Sequence, residues 1–94
     1  MQQHNPPHPG GIIKRVYLEP NGLGSNEVAA KLQVNASTFN RLINEKSRVS
    51  TAMALKLSKV LGRSPESWLA MQRNFDLYEA RSKIDISRCV PVKI

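Results

Sequence analysis

Residues 26–45, NEVAAKLQVNASTFNRLINE, decide how this chain folds. Val28, Ala29 and Leu32 form one apolar stripe, which breaks at Val34-Asn35 and resumes with Phe39, Leu42 and Ile43, at the i, i+3, i+4 spacing of half-buried helices. Two short helices joined by a tight turn follow, a helix-turn-helix. The first is expected over 26–33, with Ser25 as N-cap because its hydroxyl can accept from free backbone N–H groups, and with Glu27 in the first turn where the dipole favours an anion. The second is expected over 36–45, capped by Asn35.

Outward from that segment the chain reads as more helix. Upstream, Ile12, Ile13, Val16 and Tyr17 suit a short helix over 11–18, stopped by Glu19-Pro20 and Asn21-Gly22. Downstream, TAMALKLSKVLG follows Ser50, with Met53, Ala54, Leu57, Val60 and Leu61 on one face and Gly62 placed as the C-cap. Ser64-Pro65 then puts proline just after a cap, and a fifth helix is expected from 65 to about 82. Trp68, Met71, Phe75 and Tyr78 recur on it at a helical spacing, which suits core against the fourth helix, although a dimer seam would use the same residues.

The expected architecture is all-α, a five-helix domain over 11–82 between an extended Pro-rich arm, 1–10, and a short tail, 83–94. The tail alternates Ile84, Ile86, Arg88, Val90 and Val92 around Pro91, a pattern for an edge strand or an extended segment held by another chain. A lone strand is marginal, so the tail hints at a dimer.

At 94 residues there is room for one small core but not for a large enclosed active site. Fourteen Lys and Arg against seven Asp and Glu favour a polyanionic partner, and nucleic acid is the natural one. The excess is spread over both halves, so it belongs to the domain rather than to a basic tail. No run approaches the roughly 20 apolar residues of a membrane span. No secretory pattern opens the chain, and the single Cys89 cannot form an internal disulfide, so a cytoplasmic protein is expected.

A helix that enters the major groove must present short polar side chains near its N-terminal end. Ser37, Thr38, Asn40 and Arg41 meet that demand: Thr38 can offer its methyl to thymine, Asn40 can pair with adenine, and Arg41 can donate two bonds to guanine. Ser25, Asn26, Asn44, Lys46 and Arg48 lie at helix ends and in the following loop, where they could hold phosphates without reading sequence. Short polar residues are also good caps, and a polar face with one arginine is an ordinary solvated surface. From the spacing alone, a DNA reader and a plain helical bundle both stay open.

The wider constellation narrows the choice. HPGGIIKRVYLEP, EVAAKLQVNASTFNRLIN and VSTAMALKLSKVLGRSPESWLAMQRNFDLYEA together resemble antitoxins of the HigA or VapI type within the Xre, lambda-repressor-like helix-turn-helix family, over about residues 8–80. SPESWLAMQRNFDL carries the resemblance to that subfamily most strongly. The resemblance implies a five-helix domain, a homodimer on a palindromic operator, and repression of its own operon together with a HigB-like, RelE-related mRNA-cleaving toxin. The chain departs from the pattern at Glu45, where the family usually has glycine after the recognition helix.

Other chemistry finds little support. His4 and His8 are four apart but separated by Pro6-Pro7 and joined by no third ligand, so no metal or other cofactor is expected. Asp76 and Glu79 lie among Arg73, Arg81 and Lys83 and read as a solvated, ion-paired face. No nucleophile and base come together, so the chain is not expected to be an enzyme. Two alternatives to a toxin-linked repressor stand beside it: a general Xre-type regulator, and a protein-interaction module that binds DNA weakly.

Overall fold

The structure is a computed structural model that describes residues 5–93. Its α-helices are α1 (Pro9–Ile12), which continues without a break as a π-helical segment (Ile13–Leu18), then α2 (Ser25–Leu32), α3 (Ala36–Ile43), α4 (Thr51–Val60) and α5 (Pro65–Lys83). The five-helix, all-α expectation holds, and no strand forms among the described residues.

The first helix begins at Pro9, two residues before the expected Gly11 and inside the stretch read as an arm. The His8 ring supplies the cap: its Nδ1 accepts from the Gly10 N–H at 2.9 Å, and Pro9 occupies the first helical position, where the missing N–H costs nothing. His8 is buried and meets Phe75 edge to face, with ring centroids 4.8 Å apart. The cap uses His8 Nδ1, and His4, the other histidine of the expected pair, lies outside the described residues.

Leu18 shows why the next segment is a π-helix. The Glu19 N–H donates to the Lys14 carbonyl at 2.9 Å, five residues back, so the turn holds one more residue than an α-helix. That spacing brings Ile13 and Leu18 together into the core, while Val16, expected on the apolar face, is 48% exposed.

Ile13, Leu18, Val28, Ala29, Leu32, Phe39, Leu42, Ile43, Val49, Ala54, Leu57 and Trp68 make one continuous core. Both stripes of the opening segment are therefore its centre. Trp68 is fully buried, and its Nε1 donates to the Gly62 carbonyl at 2.9 Å. Gly62, at φ +105°, closes α4 as expected, in a conformation that suits glycine. Trp68 takes the core role expected of the stripe on α5, whereas Met71, Phe75 and Tyr78 are only half-buried.

Two caps differ from expectation. Ser25 is the first residue of α2, and Gly24 stands in the N-cap position without a side chain to bond. Asn35 does occupy the N-cap of α3, but its side chain makes no capping bond. Ser64 caps α5 as expected, its hydroxyl accepting from the Ser67 N–H at 3.0 Å. Ser64→Ala should lower stability by about 1 kcal/mol in urea denaturation, and an unchanged midpoint would assign that cap no energetic weight.

After Lys83 the chain is extended and exposed, with Ile84, Ile86, Val90 and Val92 between 62% and 80% accessible. Two bonds make a local turn there: the Cys89 N–H donates to the Ile86 carbonyl at 3.0 Å, and Asp85 accepts from the Ser87 N–H at 2.9 Å, which holds its carboxyl below the usual carboxylate range.

Candidate nucleic-acid interface

Because Phe39, Leu42 and Ile43 are buried, the opposite side of α3 must face solvent. Ser37, Thr38 and Arg41 are exposed there, and Asn40 is half-buried. Ser37, Arg41 and Asn44 follow one another at four and three residues, so they stack along one stripe. Asn40, Arg41, Asn44 and Lys46 line a shallow groove at the C-terminal end of the helix. Thr38 lies in a second groove beside the turn, with Ala30, Gln33, Val34 and Asn35.

The structure thus divides the expected set. Asn40 and Arg41 share a surface with Asn44 and Lys46, while Ser37 and Thr38 sit nearer the turn. The Asn44 Nδ2 donates to the Asn40 carbonyl at 2.9 Å, so one of its amide hydrogens is used in closing the helix. Asn26 is exposed and Ser25 half-buried at the start of α2, where no side chain caps the backbone N–H groups. A phosphate could use those donors, with the Glu27 carboxylate in the same turn opposing it. Arg48 lines neither groove, and its guanidinium meets Asp76 of α5 at 2.6 Å.

The loop after α3 follows the path that glycine would give. Glu45 adopts φ +63°, its N–H donates to the Leu42 carbonyl at 2.9 Å, and the Lys46 N–H donates to the Arg41 carbonyl at 2.8 Å. A side chain in the left-handed region costs roughly 1 kcal/mol, which the surrounding bonds offset. Glu45 therefore adds a negative charge to the loop while holding a left-handed conformation that glycine adopts freely.

Gln33, expected as the last residue of the helix over 26–33, and Asn35, expected as a cap, are both surface residues. Gln33 takes φ +61°, and its carbonyl accepts from the Lys56 Nζ at 3.2 Å, which ties the turn to α4. Both side chains are exposed beside Thr38. The available signal was their position between two apolar stripes, where a long amide has no core to enter.

No helix among the described residues is long and apolar enough to cross a membrane. A helix-turn-helix family model matches residues 14–68. The uncharacterized HTH-type transcriptional regulator YddM of Escherichia coli K12 is 39% identical over 88 residues, spanning 94% of this chain and 93% of that protein. The solved structure of antitoxin GraA superposes with a TM-score of 0.85 at 33% identity, covering 98% of this chain and 99% of that one. Antitoxin HigA of Pseudomonas aeruginosa, solved with the higBA promoter, has a TM-score of 0.82 at 27% identity, covering 95% of this chain and 99% of that one. Matched over more than half its length by the family model and over nearly all of it by these proteins, the chain belongs to the helix-turn-helix family and is of the HigA antitoxin type.

Proposed function

We propose that this protein is an antitoxin and autorepressor that binds operator DNA as a symmetric homodimer through α3. One observation carries the reading: a helix anchored by Phe39, Leu42 and Ile43 leaves Ser37, Thr38 and Arg41 outward, with Lys46 at the end of the same surface. Bases are read by Ser37, Thr38, Asn40 and Arg41, and phosphates are held by Ser25, Asn26, Asn44, Lys46 and Arg48. Two such helices enter successive major grooves about 34–36 Å apart, which requires a palindromic site. The P. aeruginosa HigA structure with its promoter supports the DNA role, and the antitoxin relatives support a HigB-like toxin as the protein partner. The exposed tail from Ile84 is open to contact with a second copy.

The test is titration of the DNA upstream of the chain's own reading frame against a mixed-sequence duplex at several salt concentrations. Affinity must fall as salt rises, and the upstream DNA must be preferred. Arg41→Ala should weaken binding to the upstream DNA about tenfold or more while affecting the mixed duplex much less. Equal losses on both would make Arg41 a phosphate contact instead of a reader. Co-expression with the neighbouring small reading frame tests the antitoxin role: growth arrest from that frame alone should be relieved by this protein.

A further inference from the structure

Arg48 is the one phosphate-holding candidate whose charge is engaged within the chain, and its partner lies on a different element. The Val49 N–H donates to the Gln72 Oε1 at 2.7 Å, the Gln72 Nε2 donates to the Asp76 Oδ1 at 2.9 Å, and the other Asp76 oxygen meets the Arg48 guanidinium at 2.6 Å. Two consecutive loop residues are thereby tied to two α5 residues one helical turn apart. Gln72 is buried, and both of its amide atoms are used. Each Asp76 oxygen has its own donor, so the carboxylate is held from both sides. An ion pair formed by chance on a surface needs no such backing.

From this geometry we propose that Asp76, oriented by Gln72, is a positioning residue for DNA binding: it fixes one nitrogen of Arg48, in the loop between α3 and α4, so that the remaining guanidinium donors are left for a DNA phosphate. The inference rests on the DNA-binding reading above. The Arg48 side chain is 66% exposed although bonded, so donors remain for a second anion. An arginine held in one orientation loses less side-chain freedom when it meets a phosphate. Asp76 contributes to affinity through Arg48, against the repulsion that its own charge exerts on DNA.

The experiment is a double-mutant cycle on Arg48→Ala and Asp76→Ala, reading the dissociation constant for a mixed-sequence duplex of about 30 base pairs in about 0.1 M salt. Asp76 is partly exposed, so its replacement spares the core, and matching circular dichroism melts verify that each variant is folded. Arg48→Ala is expected to weaken binding roughly five- to tenfold and to reduce the salt slope by about 0.9, the effect of one phosphate contact. Asp76→Ala should be about threefold less favourable with Arg48 present than in the Arg48→Ala background, where removing the negative charge helps slightly. Additive effects would overturn the proposal, as would tighter binding by Asp76→Ala only when Arg48 is present, since the carboxylate would then be withholding the arginine. Arg48→Ala without effect overturns it too, and absence of duplex binding by the unaltered chain defeats the DNA reading itself.

Discussion

Trp68→Ala is expected to destabilise the protein by about 3–5 kcal/mol, the range for deleting a large buried aromatic side chain. Trp68 is fully buried, and the substitution removes more than volume. The Gly62 carbonyl loses the indole N–H at the corner between α4 and α5, Tyr17 loses a ring neighbour at 5.9 Å, and the Arg63 guanidinium loses the face it covers at 5.6 Å. Domains of this size hold roughly 5–15 kcal/mol in all, so the variant should retain little stability and melt on the order of 15–30 °C lower. Trp68 is also the chain's only tryptophan, so the comparison must use far-ultraviolet circular dichroism rather than indole fluorescence. A shift of only a few degrees would mean that the core closes over the space, and the corner at Gly62 would then be held by backbone alone.

Gly10→Ala should cost about 3 kcal/mol, at the upper end for overpacking, although it adds a single methyl group. A Cβ at Gly10 would be driven into the carbonyl oxygen of Leu42, which is backbone and cannot swing away. Leu42 lies in the last turn of α3, so relief requires α1 and the recognition helix to part. The variant should therefore lose both stability and affinity for the upstream DNA. Gly24→Ala serves as the control, because nothing lies within 4 Å of a Cβ there. Equal melting temperatures for the two variants would refute the close approach.

The three helices that carry the outcome were legible because their signals are local. Gly62, Ser64 and Pro65 mark a stop and a start within four residues, and Phe39, Leu42 and Ile43 leave only one side of α3 to face water. The start of α1 was hidden because its cap is an imidazole within a proline-rich run, and the usual capping residues are short oxygen-bearing ones. The π-helical segment was hidden because its five-residue spacing matches neither helix nor strand periodicity; Leu18, five residues from Ile13, fell outside the expected stripe. At the site, the choice of α3 residues followed from which face is buried. What could not be read was which side chains are already engaged. Asp76 was expected to pair along its own helix, as Glu79 does with Lys83 at 3.2 Å, yet it reaches across to the loop. Pairing between elements depends on tertiary approach, which a helical spacing does not encode.

Gln33, Glu45 and Arg63 hold positive φ angles at the three successive corners between α2 and α5. Glycine at each would ease the backbone and leave the unfolded chain freer, so these side chains trade local strain for a smaller loss of entropy on folding. Each corner also carries a polar group that a bare bend would lack, and at Arg63 that group bonds to the hydroxyl of Tyr17 at 2.9 Å. The vertices of the domain therefore do two jobs at once: the backbone of each sets the angle at which two helices meet, and its side chain puts a polar group at the bend.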